Sequence, residues 1–188
     1  MAGIGHNQGP TMERGASWRR HCWRTARAEL LPQMPLNVIR RRVKRARELG
    51  LDYKTYASFR AATGRDIVAL LFSSNALRVI RPGDVVPETR HAHLIATRGV
   101  EHRVIAQPPL DPDTLVARLA GQGIDVTAVV KAPGFQANFP TVRAAMDRVR
   151  GTVPGDAVLL IGDTAIERGW CAAGKLAGFV PSERYFGA

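Results

Sequence analysis

The 188-residue chain has no uninterrupted apolar run of about 18 residues, so its sequence excludes a membrane-spanning helix. Cysteine is scarce. Cys22 and Cys171 stand far apart and form no disulfide framework, the usage expected of a reducing compartment. The opening MAGIGHNQGPTMERGASWRR lacks the apolar centre of a secretory signal. These absences point to a cytoplasmic protein. Acidic residues are nearly missing from the first third. Residues 1–65 hold 14 Lys/Arg against 4 Asp/Glu, net +10, whereas residues 66–188 hold 13 against 12, net +1. Lysine contributes only 4 of the 27 cations and arginine the rest. A hydrophobic share of 45% is ordinary for a chain that folds around a core.

Hydropathy patterning divides the chain into a flexible leader (1–16), a basic helical module (17–64) and a small α/β domain (65–188). In the module, Trp18, Cys22 and Ala26 follow helical spacing over 17–31, and Pro32 and Pro35 end that helix. A second helix is expected over 36–49, with Leu36, Ile39, Val43 and Ala46 as a narrow apolar stripe among arginines and Gly50 as its stop. A third is expected from Asp52 to about Ala62.

In the body, IVALLF (67–72) reads as a buried strand or as the start of a helix reaching Val79, with the strand slightly favoured, Arg81-Pro82-Gly83-Asp84 as a turn, and HLIAT (93–97), RVIAQ (103–107), VTAVV (126–130) and AVLLIG (157–162) as strands. Helices are expected from Asp111 or Asp113 to Gly121 or Gly123, over 140–150 and over 165–177, followed by a tail, PSERYFGA. Strands alternating with helices imply a mainly parallel sheet of four or five strands covered by helices.

The stretch VKRARELGLDYKTYASFRAATG (43–64) resembles the DNA-binding helix-turn-helix family. Ala46 stands at its small-residue position, Gly50 at the turn, and Leu49 and Leu51 flank that glycine. Aromatic Tyr56 and Phe59, expected to turn back onto the first helix, depart from the family's small or aliphatic residues. The resemblance implies that the outward face of 52–60 enters a major groove, with Tyr53, Lys54, Thr55, Ser58 and Arg60 available to bases. Arg40, Arg41, Arg42, Lys44 and Arg45 would hold phosphates.

Catalytic patterns fare less well. GWCAAGKL (169–176) matches most of the phosphate-loop pattern. Leu176, however, replaces the magnesium-binding hydroxyl, and DTAIER separates the stretch from its strand. Small residues Gly169, Ala172, Ala173 and Ala177 are read instead as close helix packing.

The run LLIGDTAIERGWCAAGKLAG (159–178) resembles the last motif of the haloacid-dehalogenase-like phosphatases, which would put Gly162-Asp163 at a magnesium-binding strand end. That family also has a D-x-D loop after its first strand, which this sequence lacks. Asp163 is equally expected as a helix N-cap. Ser73 and Asn75, with Lys131, form a second weak ligand-binding set beside Asp163. His91, His93 and His102 have a metal-like spacing but no cysteine nearby. No metal or cofactor is expected, and Trp18, Trp23 and Trp170 are read as packing anchors.

These readings favour a non-enzymatic nucleic-acid-binding protein, DNA-binding and regulatory if the hairpin reads a groove. Its body would sense a ligand, bind a partner or form a homodimer. Two alternatives stand beside it: a small α/β enzyme or binding domain for an anionic, phosphorylated metabolite, and a structural subunit docking an acidic protein.

Overall fold

The computed structural model describes Trp18, residues 20–23 and residues 34–187. Trp18 and residues 20–23 are helical, and Trp18 stacks on His21 at 5.8 Å. The expected leader and most of the helix over 17–31 lie outside the described residues. Two compact units part between Ile39 and Arg40.

Residues 40–188 carry five parallel strands: β1 (Ala69–Ser73), β2 (Glu101–Ala106), β3 (Ala128–Lys131), β4 (Val158–Gly162) and β5 (Gly178–Pro181). Their order is β3-β2-β1-β4-β5. The helices are α1 (Leu36–Glu48), which spans the unit boundary, α2 (Tyr53–Thr63), α3 (Glu88–Ala96), α4 (Pro112–Gly121), α5 (Phe139–Arg150), α6 (Ala165–Gly174) and α7 (Ser182–Phe186).

The period of two along the buried strands builds a core on each face. Leu70 and Phe72 of β1, with Leu159 and Ile161 of β4, pack under Ala46, Tyr56, Leu94, Leu119 and Tyr185. Ala69, Leu71, Val158 and Leu160 face the other way, against Met146 and Val149 of α5 and Trp170 of α6. Trp170 is thus the anchor expected of it, whereas Trp18 and Trp23 are exposed. The chain winds from β1 through β2 to β3 with α3 and α4 on one face. It then returns along the other face through α5 to β4 and β5. This reversal makes a doubly wound α/β fold.

Three expectations change. HLIAT is not a strand but the end of α3, where Leu94 is the buried residue. A β-branched run pairs only if a sheet edge receives it, and here β2 takes that place from Glu101 onward. The tail is structured: Phe179-Val180 joins β4 as β5, and Ser182–Phe186 forms α7, burying Tyr185. Gly169 has open space around it. The close approach falls on Gly174, where a Cβ would meet Met146 Cβ at 2.9 Å.

The two expected helices are present, joined through Gly50. Leu51 N–H donates to Ala46 O and Gly50 N–H to Arg47 O, with Gly50 left-handed at φ 68°. These bonds form the Schellman stop, and Leu51 and Ala46 are both buried, as that motif favours. Asp52 caps α2 by accepting from Thr55 N–H. The aromatic side of α2 divides: Tyr56 joins the buried cluster that holds Ala46 and Leu49, and both rings also engage the sheet body. Tyr56 Oη donates to Asp66 at 2.8 Å, and Phe59 lies on Gly178, where a Cβ would sit 2.3 Å from its ring. The Phe59 ring thus reaches the start of β5, whereas Tyr56 is tied to the segment just before β1.

Candidate functional site: a cationic helix and a closed strand-end crevice

The expected phosphate-holding cations are sorted by their position around α1. At 100° per residue, Arg40, Lys44 and Arg47 share one stripe, with Arg41 beside it, opposite buried Ala46 and Leu49. All four are exposed. The side chains of Arg40, Arg41 and Arg47 make no hydrogen bond or ion pair among the described residues. Lys44 has only Glu48 at 3.9 Å, with its own side chain 81% exposed, a pairing of little energetic weight. Arg42 is half-buried.

Arg45 is drawn into the body. It donates to Asp66 at 3.0 Å, to Ile67 O at 2.8 Å and to Gly99 O at 3.0 Å, and it also pairs with Glu48. A guanidinium with this many partners fixes α1 to the loop before β2 and is not free for phosphate. On α2, Lys54, Ser58 and Ala61 form the exposed stripe, Arg60 is half-buried, and Thr55 is buried and bonded to Asp52 and Arg184.

The reversal of winding places a crevice between the C-terminal ends of β1 and β4. Register sets Phe72 opposite Ile161, so Ser73 ends β1 beside Gly162-Asp163. The sequence-derived trio of Ser73, Asn75 and Asp163 therefore shares one edge. Lys131 ends β3, two strands from β1.

The centre of the crevice is Glu167, fully buried and not anticipated from sequence. Its Oε1 accepts from Asn75 Nδ2 at 2.9 Å and Gln107 Nε2 at 3.2 Å. Its Oε2 accepts from the backbone N–H of Asp163 at 2.7 Å and of Thr164 at 2.9 Å. Thr164 is the N-cap of α6, in a capping box with Glu167, so Asp163 is not the cap. The detectable signal was Thr164-x-x-Glu167, the capping-box spacing.

Asp163 is occupied in other ways. It accepts from Ser182 Oγ and pairs with Arg78 at 3.5 Å, and Arg78 itself has the left-handed φ of 57°. Ser73 Oγ accepts from Ala76 N–H, and Ser74 Oγ from Gln107 N–H. Both serines are fully buried.

The resemblance to haloacid-dehalogenase-like phosphatases implies magnesium at this strand end, and the residues present do not fit one. The end of β1 offers Ser73-Ser74-Asn75 in place of carboxylates. Both oxygens of Glu167 are taken up by four internal donors. Among the described residues no group of three His, Cys, Asp or Glu side chains could hold a metal ion. The three histidines also diverge, since α3 turns His91 and His93 about 200° apart. His91 Nε2 meets Gln122 O at 2.7 Å, His93 abuts Gly50, and His102 Nε2 meets Thr97 Oγ1 at 2.7 Å. Burial pushes the Cys171 thiol up to about 12, so it is no nucleophile at neutral pH.

No family model matches the chain, and neither a curated protein nor a solved structure matches it. The fold and the two sites define a doubly wound α/β protein with a cationic helix and a strand-end crevice closed by its own side chains.

Two histidines give the fold a pH dependence. Burial lowers His93 and His102 below the ordinary 6.5, opposed weakly by the Gly50 backbone for His93 and by the Asp125 backbone and charge for His102. The native state then binds fewer protons than the unfolded chain. The stabilisation is complete above pH 6.5 and is lost as pH falls through the lowered folded-state values. Asp52, Asp84 and Asp111 are also lowered, from 3.8, and so act only in a separate, more acidic window. Urea midpoints are expected to fall between pH 7.5 and pH 5. That slope should flatten in His102→Gln, and an unchanged slope in the variant would remove His102 from the account.

Proposed function

We propose that this protein binds nucleic acid by holding backbone phosphates on the exposed face of α1. The observation that carries the reading is the stripe of Arg40, Lys44 and Arg47, flanked by Arg41. These four cations lie on one side of a helix, and three of them have no counter-charge among the described residues. Such a face attracts a polyanion by counterion release, and guanidinium groups suit phosphate oxygens in particular. Arg45 anchors the helix to the body, which gives the stripe a fixed backbone. The aromatic side of α2 is spent on the core and the sheet body, and its outer stripe carries one cation, Lys54. The reading is therefore phosphate contact without base selection, in preference to a groove-reading recognition helix.

Fluorescence anisotropy with duplex and single-stranded oligonucleotides across a salt series tests it. Affinity should fall steeply with salt and differ little between sequences. Replacing Arg40, Arg41, Lys44 and Arg47 by Ala should reduce the log–log salt slope on duplex DNA by about 3 to 4. These exposed positions leave the core intact, so thermal unfolding should change little. Absence of binding at low salt, together with co-purification of an acidic protein, would replace the nucleic-acid reading by the docking alternative.

A further inference from the structure

We propose that the cleft between α5, the turn before β4 and the C-terminal end of α6 is a binding site for a phosphate group, gripped by Arg143 and Lys175. The cleft encloses about 420 Å³. Its floor is backbone against backbone. A Cβ on Gly155 would lie 2.5 Å from Gly174 O and 2.6 Å from Lys175 O, and one on Gly174 would meet Met146. The two glycines let these segments touch, which leaves a recess where side chains would otherwise stand.

Charge around the recess is unevenly compensated. Asp147 accepts from Arg150 at 2.8 Å and lies 3.8 Å from Arg143, so one carboxylate faces two guanidiniums. Asp156 is taken by Arg65 at 3.0 Å. Arg150 also donates to Val153 O and thereby serves the chain after α5. The Lys175 ammonium has no hydrogen bond or ion pair among the described residues.

Lys175 also occupies the left-handed region, with φ 50° and ψ 43°, at the end of α6, a position that glycine or asparagine fills without strain. Strained backbone that carries a reactive or charged side chain into a cleft is a recurrent property of ligand clamps. The C-terminal end of α6 itself repels anions, so an anion here must be held by side chains at the lip. Arg143 supplies a planar fork and Lys175 a point charge, the pair of donors that a tetrahedral phosphate accepts.

The phosphate can belong to a free monoester or to a polynucleotide backbone. Arg65 follows α2 directly and reaches Asp156 in this cleft, so the recess adjoins the basic hairpin and the backbone source is favoured. That arm rests on the proposed function, whereas the phosphate site does not.

The test uses the full chain and inorganic phosphate, compared with chloride at equal ionic strength. Phosphate should raise the thermal midpoint of the wild type and not that of Lys175→Gly or Arg143→Ala. Lys175→Gly relieves the left-handed backbone, so it remains folded. An equal rise in the variants would be general salting-out, and that result, or no rise at all, overturns the site.

Oligonucleotide titrations then assign the source. A salt slope reduced by about one in Lys175→Gly places a backbone phosphate in the cleft. An unchanged slope, with the phosphate response lost, assigns the site to a free phosphate ester. The four-residue α1 variant should keep its response to inorganic phosphate while losing oligonucleotide binding, so the two readings fail separately.

Discussion

Replacing Glu167 by alanine is expected to destabilise the protein by about 3–4 kcal/mol, measured by urea unfolding at pH 7.5. The side chain is fully buried and accepts four hydrogen bonds from three segments: the loop after β1 (Asn75), the loop after β2 (Gln107), and the first residues after β4 (Asp163 and Thr164). Hydrogen bonds to a charged acceptor contribute about 1.5–3 kcal/mol each when removed singly. They do not add fully here, because Asp163 and Thr164 are exposed enough to turn to water. The carboxylate also sits in the first turn of α6, where the helix dipole favours negative charge.

Glu167→Gln separates shape from charge. Its carbonyl can keep the two backbone donors, and the amides of Asn75 and Gln107 can rotate to present oxygen to the new NH2. The expected loss is therefore about 1–2 kcal/mol, half of the alanine cost. If glutamine costs as much as alanine, the negative charge itself carries the stabilisation. A loss below about 1 kcal/mol for alanine would show that the strand ends hold together without this group.

The same residue shows what the sequence conveyed and what it concealed. Strand runs such as AVLLIG were legible because both faces of a parallel strand are buried, leaving a continuous apolar segment. Ser73, Asn75 and Asp163 were legible as a shared edge because polar residues directly follow such runs. Glu167 was not, since its partners Asn75 and Gln107 lie 92 and 60 residues away and only the winding order brings them together.

α3 was misread for a different reason. Nine residues with one buried leucine carry too little helical periodicity to outweigh the β-branched Ile95 and Thr97. The Arg-rich stretch of α1 was legible as a charge and illegible as a surface. Nothing in the sequence distinguishes Arg45, which bonds to the backbone of Ile67 and Gly99, from Arg40 and Arg41, whose side chains have no partner among the described residues.

Gly50→Ala should cost about 3–5 kcal/mol and so rival the Glu167 truncation, since it combines two of the named causes of large losses. A left-handed backbone at φ 68° costs alanine about 1 kcal/mol more than glycine. The new Cβ would also lie 2.3 Å from His93 Nε2 and 3.2 Å from Tyr185 Oη. His93 cannot yield freely, because its ring packs against Tyr185 at 4.7 Å and Phe186 at 5.4 Å, and Tyr185 donates to Leu49 O at 3.0 Å. A double-mutant cycle with His93→Ala isolates the collision. In the alanine background at position 93, Gly50→Ala should cost only the backbone term of about 1 kcal/mol, giving a coupling of about 2 kcal/mol or more. Equal costs in both backgrounds would mean that the turn moves away from α3 instead of colliding with it.

The double variant also bears on function, because Gly50 is the joint between α1 and α2. If phosphates are held by α1 alone, a folded Gly50→Ala/His93→Ala protein should keep the wild-type salt slope and affinity for oligonucleotides. Should the two helices instead dock together in a groove, a disturbed joint would weaken binding while Arg40, Arg41, Lys44 and Arg47 all remain in place.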